Sequence, residues 1–217
     1  MNLSKLFEAQ AILDKRIVEE KGLEGQDLLD KKILALQVEL GELANEWRGF
    51  KFWSEDQKPN VDASCDLCDG KGEKTVTISD FHPSYGYATH YELAICPKCK
   101  GNPIYKNPLL EEYVDCLHFM LSIGLEIGIK SDEMNDLFIW NSPGVDQLNS
   151  LFAYTSELYT FIWSVEYTKK EMKSKYKNLL EGLLGFGVYG LRFTWKQIEQ
   201  AYLKKNKINH ERQASGY

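Results

Sequence analysis

The sequence predicts an all-α fold, a helical bundle that is interrupted by a small β-hairpin module. Apolar residues recur at helical spacing over most of the 217 residues. Within residues 56–108 the spacing becomes alternating instead, and turn-forming residues border this stretch on both sides. A chain of this length can form one large core with an appendage. We therefore expect a helical domain of residues 1–56 and 106–217, with a small module of residues 57–105 inserted into it.

Five segments have the apolar spacing of α-helices: residues 4–21, 30–48, 109–127, 145–178 and 190–208. Ser4 is the expected N-cap of the first helix, and Gly22 its end. The third segment is so apolar that we expect it in the middle of the core. Between the last two segments lies "GLLGFGVYG", whose glycines are typical of close helix packing or a bend.

Composition and charge limit the class of protein. Hydrophobic residues make up 43% and charged residues 27% of the chain, which is ordinary for a soluble globular protein. No run approaches the roughly 18 apolar residues of a membrane span. The first residues lack the pattern of a signal peptide, so we expect a cytoplasmic location and no membrane partner.

The charge is unevenly distributed along the chain. Residues 169–217 have a net charge of +7, whereas the whole chain has −6. An acidic body and a basic tail could form opposite walls of one site, with metal ions on one wall and an anionic substrate on the other. Simple attraction between the two parts is the alternative.

Four cysteines stand in two closely spaced pairs within the insertion. Cys65 and Cys68 form one pair, and Cys96 and Cys99 form the other, with 27 residues between the pairs. The sequences "EKTVTIS" and "ATHYELAI" lie between them and predict a hairpin that brings the pairs together. Four thiolates suit a closed, structural Zn²⁺ site, and the turns resemble zinc-ribbon knuckles. Disulfides or free thiols are the alternatives, and disulfides are disfavoured in the cytoplasm.

Two pairs of carboxylates are candidates for a second metal site. Glu39 and Glu42 lie three residues apart, and Glu112 and Asp115 repeat that spacing, so each pair lies on one helix face. Either pair alone could belong to a solvated face. The second pair, however, is on the most apolar helix of the chain, where four converging carboxylates would need a cation such as Mg²⁺.

Three segments resemble a known family in the order in which that family has them: "ILALQVELGELANEWRGFKFWS", "LLEEYVDCLHFMLSIGLEIG" and "AYLKKNKINHERQASGY". The chain is similar to the dimeric, all-α dUTPases of the all-α NTP pyrophosphatase superfamily, whose signature is Glu-x-x-Glu followed by Glu-x-x-Asp. The likeness covers nearly the whole chain outside the insertion. The insertion is a departure from the compact members of the family.

The resemblance implies a helical bundle of the all-α NTP pyrophosphatase type that forms a homodimer. It implies hydrolysis of dUTP to dUMP and pyrophosphate, with two or more Mg²⁺ ions at Glu39, Glu42, Glu112 and Asp115. Such ions bridge the triphosphate and activate water. One of the glutamates, for which Glu42 is a candidate, would take the proton of that water.

The resemblance also implies the residues that bind the substrate. Lys205, Asn209 and Arg212 share one side of the last helix and would clamp phosphate oxygens. Gln10 would meet the uracil edge and Trp53 would stack on the ring, although a solvent position for Gln10 and a core or dimer-interface role for Trp53 are alternatives. The remaining candidates are Asp14, Lys51, Tyr202, Asn206 and Gln213.

Two other functions remain open from the sequence. One is a pyrophosphatase for another nucleotide, such as dCTP. The other is a zinc-ribbon binding module on a non-catalytic helical scaffold. The presence of all four candidate carboxylates and of the basic tail argues against a scaffold that has lost its activity. The insertion is not clearly basic, so a nucleic-acid partner has little electrostatic support.

Overall fold

A computed structural model describes residues 2–84, 86–102, 104–134, 136–164 and 168–216. The chain divides into two compact units, one of Met1–Pro59 with Leu109–Tyr217 and the other of Asn60–Pro108. The first unit is helical, and the second consists of antiparallel strands and turns. The predicted fold class, an all-α bundle with a small β-hairpin insertion, is confirmed. None of the helices in the described part of the chain is long and apolar enough to cross a membrane.

Six α-helices are present in the described residues: α1 (Leu3–Lys21), α2 (Leu29–Trp47), α3 (Pro108–Glu126), α4 (Gly144–Trp163), α5 (Lys169–Gly185) and α6 (Trp195–Ala214). The first three agree with the predicted segments to within a residue or two at each end. Gly22 ends α1 in the left-handed conformation, as expected. Ser4 is not the N-cap, because the side chain of Asn2 accepts the hydrogen bond from Lys5 N.

The expected single helix over residues 145–178 is wrong. The helix α4 ends at Trp163, and a new helix begins after Thr168. Thr168 Oγ1 accepts from Glu171 N, and the Glu171 carboxylate accepts from Thr168 N, which completes a capping box. This local pairing satisfies the first amides of α5, so a separate helix start is favoured over continuation.

The apolar helix α3 lies in the core, as its composition predicts. Eleven of its residues are buried, among them Leu117, Leu121 and Ile123. Residues of all six helices contribute to the same buried cluster. Because α3 is surrounded, the polar side chains on it lie at or near the core rather than on an open surface.

The glycine-rich segment allows close packing, as expected. A π-helical turn (Phe186–Gly190) follows α5. A Cβ atom at Gly185 would collide with the carbonyl oxygen of Trp140, and one at Gly187 would collide with the ring of Tyr113. Tyr113 OH also donates to the carbonyl oxygen of Leu183 at 3.3 Å. The glycines therefore bring this segment directly against α3 at the residue next to Glu112.

The second unit contains the predicted hairpin. Strands β2 (Glu73–His82) and β3 (Gly86–Ile95) are antiparallel, with Thr75 opposite Leu93, and the short strands β1 (Ala63–Ser64) and β4 (Ile104–Lys106) pair beside it. The base of the hairpin leads into the two cysteine turns, which lie at its Glu73 and Ile95 ends.

Candidate active site and metal centre

Three of the four predicted carboxylates meet between α2 and α3. Oxygen atoms of Glu39, Glu112 and Asp115 lie within 4.8 Å of one another. Glu42 lies outside this group of three, but its charge acts on both glutamates of the group. The three-residue spacing in each helix directs both members of a pair towards the partner helix. The site could therefore hold a divalent cation by three carboxylates, with a fourth nearby.

Burial and mutual repulsion disfavour ionisation of the carboxyl groups in this cluster. Burial, Asp115 and Glu42 raise the pKa of Glu39 to about 7. Burial and the same two carboxylates, with Glu39, raise the pKa of Glu112 to about 7. Burial also raises the pKa of Asp115, against the opposing effect of Lys205. A positive charge in the cluster would relieve this repulsion, so the donor set fits a hard cation such as Mg²⁺.

The basic tail reaches the same place. Lys205 Nζ, on α6, donates a hydrogen bond to Asp115 Oδ2 on α3. Lys205, Asn209 and Arg212 line one cavity together with Glu39 and Asp115. The i, i+4, i+7 spacing of the three residues on α6 places them on one face, as predicted. Acidic and basic groups thus line one cavity, and the contact of Lys205 with Asp115 also fits the simple attraction that was the alternative.

The cavity has a volume of about 540 Å³, which is within the range of small-molecule sites. Besides the charged groups, its lining is largely apolar, with Leu13 and Ile17 of α1, Ala35 of α2 and Phe119 of α3. Charged and apolar groups in one lining suit a ligand that carries both charge and a flat ring.

Gln10 lies in this lining with only 4% of its surface exposed. Its Nε2 donates to Asp14 Oδ1 at 2.6 Å. Its Oε1 is 2.5 Å from the hydroxyl of Tyr202 and 2.8 Å from His118 Nδ1. Burial lowers the pKa of His118 to about 3, so the imidazole is neutral and donates through Nδ1–H. Asp14 Oδ2 accepts from Ser122 Oγ at 2.6 Å.

The other predicted α6 residues are supports rather than cavity lining. Tyr202 is fully buried and stacks on His118, with ring centroids 4.0 Å apart, so its contact with the site runs through Gln10 and His118. Asn206 is buried and donates to the carbonyl oxygen of Ala9 at 3.4 Å. Gln213 has a buried Oε1 that accepts no hydrogen bond from the described residues.

Lys51 and Trp53 lie shortly after the end of α2, beside the aromatic rings of Phe50 and Phe52. Trp53 is 64% exposed, and its ring meets Phe50 and Phe52 edge to face at 5.7 and 5.0 Å. Lys51 Nζ lies 5.7 Å from the ring centre of Phe50. Neither residue is among those that line the cavity, so the expected stacking on a base stays a prediction.

Sequence reasoning missed several lining residues, notably Lys31, Lys32, Phe119 and Ser122. For two of these residues, helical spacing in the sequence indicates a position beside the candidate metal ligands. Ser122 lies seven residues after Asp115, and Lys32 lies seven residues before Glu39, so each shares a helix face with a predicted metal ligand.

The four cysteines of the second unit form one buried cluster. Their Sγ atoms all lie within 4.8 Å of one another, with 3.8 Å between Cys65 and Cys96 and 3.6 Å between Cys68 and Cys99. Disulfides, with S–S distances of about 2.05 Å, are absent from this cluster. Four sulfurs at about 2.3 Å from a tetrahedral Zn²⁺ are about 3.8 Å apart, so the cluster has the dimensions of a zinc site.

The backbone of the two cysteine turns has matching conformations. Asp69 follows Cys68 with a φ of 51°, and Lys100 follows Cys99 with the same φ. A glycine with positive φ comes next in both turns. The amide of Gly72 then donates to Cys68 Sγ at 3.2 Å. Such donors stabilise thiolate charge, which favours metal binding.

The chain matches the family described as dUTPase over residues 2–69 and 99–217. The unmatched residues 70–98 contain the hairpin and Cys96. No curated protein matches the chain. The matched part includes the carboxylate pairs on α2 and α3 and the basic face of α6. The chain therefore belongs to the dUTPase family and is an enzyme that hydrolyses dUTP.

Proposed function

We propose that the chain hydrolyses dUTP to dUMP and pyrophosphate with Mg²⁺ held by Glu39, Glu42, Glu112 and Asp115. The observation that supports this most directly is that Glu39 and Asp115, two members of the cluster of three carboxylates of raised pKa, line one cavity with the basic face of α6. Mg²⁺ at such a site polarises phosphate oxygens and lowers the pKa of bound water.

Side chains of the protein would bind the substrate and accept the proton of the attacking water. We propose that Lys205 and Arg212 bind triphosphate oxygens and that Asn209 adds an amide contact, because these three line the cavity beside the carboxylates. Arginine can hold a phosphate through two parallel hydrogen bonds. Asn206, Tyr202 and Gln213 would support this face from within α6. One of the glutamates, for which Glu42 is a candidate, would accept the proton of the attacking water.

The test is pyrophosphate release from a panel of dNTPs with Mg²⁺. We expect turnover of dUTP in preference to dCTP, and a loss of about 100-fold or more in kcat on Glu42→Gln. The matched control is Asp30→Asn, an exposed carboxylate on the same helix, which should leave turnover unchanged. Preferential turnover of dCTP would mean that dCTP, rather than dUTP, is the preferred substrate. Equal activity of Glu42→Gln and wild type would mean that Glu42 has no role in catalysis.

We further propose a homodimer. Leu34 and Val38 lie one turn apart on α2 and are 61% and 52% exposed. Trp163, at the end of the neighbouring helix α4, is 69% exposed. Apolar side chains exposed in this way are typical of subunit interfaces. Mass measurement by light scattering should give a dimer, and Leu34→Glu should shift it to a monomer. The exposed Trp53 and the half-buried Lys51 would then contact the nucleotide from across the interface.

We also propose that Zn²⁺ occupies the four-cysteine site and is structural, because four thiolates leave no coordination position for a substrate. Free thiols and zinc thiolates persist in reducing compartments, which supports a cytoplasmic location. Fractionation of cells that express the chain at its native level would test the location.

A further inference from the structure

We propose that Asp14 is a positioning residue that makes the cavity select uracil over cytosine, by holding the Gln10 amide so that it offers an N–H to the base. This inference rests on the proposed function, because it assumes that a deoxynucleotide occupies the cavity. It assigns Asp14 a role through Gln10 rather than the direct contact that the resemblance implies.

The contacts of Gln10 admit only one orientation of its amide. The Asp14 carboxylate can only accept hydrogen bonds, so it must face Nε2, at 2.6 Å. Tyr202 OH and His118 Nδ1 then both donate to Oε1, at 2.5 and 2.8 Å. A flipped amide would set its oxygen against the carboxylate oxygen of Asp14, which cannot donate, whereas the Tyr202 hydroxyl and the His118 ring can each donate or accept. The network therefore fixes which end of the amide is nitrogen.

Asp14 is itself held in place from two further sides. Ser122 Oγ donates to Oδ2 at 2.6 Å, and Lys32 Nζ lies 3.6 Å from the same oxygen. Lys32 also pairs with Glu126 at 2.5 Å, so its ammonium group is anchored as well. Lys32 also lines the cavity, and its side chain is only 15% exposed, so both partners of its ion pair with Asp14 are largely buried.

The Gln10 side chain has one hydrogen-bond donor left for a ligand. Both lone pairs of Oε1 are taken by Tyr202 and His118, and Asp14 takes one of the two N–H groups of Nε2. The second N–H is left for a ligand. Uracil has a carbonyl oxygen at its 4 position, which accepts this hydrogen bond. Cytosine has an amino group there, so two donors would face each other.

The position of Gln10 in the cavity fits a base rather than a phosphate. Its network is built on His118 and Ser122, which lie three and seven residues after Asp115 on α3. Three helical residues span about 4.5 Å and seven span about 10 Å, so Gln10 at His118 and Asp14 at Ser122 lie at increasing distance from the carboxylates. A nucleotide with its phosphates at the carboxylates would therefore reach the Gln10 network with its base.

The test compares Asp14→Ala with Asp14→Asn. Alanine removes the acceptor and lets the Gln10 amide turn, whereas asparagine can still accept from Gln10 through its carbonyl oxygen. For Asp14→Ala we expect KM for dUTP to rise, kcat to change little, and the dUTP-to-dCTP ratio of kcat/KM to fall by about 10-fold or more. Asp14→Asn should retain most of the ratio. Glu8→Ala, an exposed carboxylate on the same helix, is the control.

A binding measurement separates this proposal from the proposed function. Calorimetry with the non-hydrolysable α,β-imido analogues of dUTP and dCTP reports base selection without turnover. We expect wild type to prefer the dUTP analogue and Asp14→Ala to lose that preference while keeping its helical circular dichroism. A folded Asp14→Ala protein with an unchanged preference would overturn the proposal even if dUTP hydrolysis is confirmed. Equal loss in Asp14→Ala and Asp14→Asn would also overturn it, because the charge alone would then be responsible.

Discussion

Lys205 Nζ on α6 donates to Asp115 Oδ2 on α3, across 90 positions of sequence. The contact joins the basic tail of the chain to the carboxylate cluster. It also lowers the pKa of Glu39, Glu112 and Asp115, against the burial that raises them. The ammonium group thus offsets part of the negative charge of the carboxylate cluster.

Replacing Lys205 by methionine should weaken triphosphate binding. We expect Lys205→Met to raise KM for dUTP and lower kcat/KM by about 10- to 100-fold, because one charged hydrogen bond to phosphate is lost. The check is steady-state pyrophosphate release at saturating Mg²⁺. Lys204→Met, an exposed lysine one position earlier, should behave as wild type. Similar kinetics for both variants would mean that Lys205 serves only the carboxylate.

The raised carboxylate pKa values predict a pH-dependent stability without metal. Burial and the charges of Asp115 and Glu42 raise the pKa of Glu39 to about 7 in the folded state, from an ordinary value of 4.5. The folded state therefore binds a proton between pH 4.5 and 7 that the unfolded state has released, and this contribution to stability falls as pH rises through that window. After allowance for partial exposure, the effect is about 1–2 kcal/mol.

The variant Glu39→Gln isolates this effect. In the presence of a chelator for Mg²⁺, its Tm should be close to wild type at pH 5 and higher by roughly 3–6 °C at pH 8. Differential scanning calorimetry of both proteins at each pH measures the gap, and Glu8→Gln is the control for an exposed carboxylate. Excess Mg²⁺ should reverse the order at pH 8, because wild type then gains more by binding. A gap that does not change with pH would contradict the pKa assignment.

The four-cysteine cluster predicts one zinc per chain. Metal analysis of purified protein should find it in wild type and in Cys116→Ser, since Cys116 is in the helical core, but not in Cys96→Ser. Loss of zinc should remove hydrogen-exchange protection from β2 and β3. The helical circular dichroism should persist, because the helical unit has its own core. Equal zinc content in Cys96→Ser and wild type would exclude this ligand set.

The packing of the glycine-rich segment predicts opposite effects for two Gly→Ala substitutions. Gly185→Ala should lower the free energy of unfolding by about 2–4 kcal/mol, since its Cβ would meet the carbonyl oxygen of Trp140. Gly41, within α2, has no atom within 4 Å of such a Cβ. Gly41→Ala should therefore raise stability by about 0.5–1 kcal/mol. Urea denaturation measures both, and equal effects would contradict the close approach at Gly185.

Spacing along the chain predicted much of the candidate site. The pairs Glu39 with Glu42 and Glu112 with Asp115 are three residues apart, so any helix places each pair on one face. The apolar character of α3 then predicted that its pair lies near the core, where it meets Glu39. The cysteine pairs are likewise a local pattern, and the hairpin between them follows from alternating residues.

The sequence by itself determined the helical class, the inserted hairpin and the residue types of both candidate metal sites, because helix periodicity and ligand spacing are local properties. The tertiary structure decided the orientation of the Gln10 amide, through Asp14 four residues away and His118 and Tyr202 more than 100 residues away. It also decided that Lys205 meets Asp115. The direction of a side-chain amide depends on which donors and acceptors surround it, and only the packing of distant helices sets that environment.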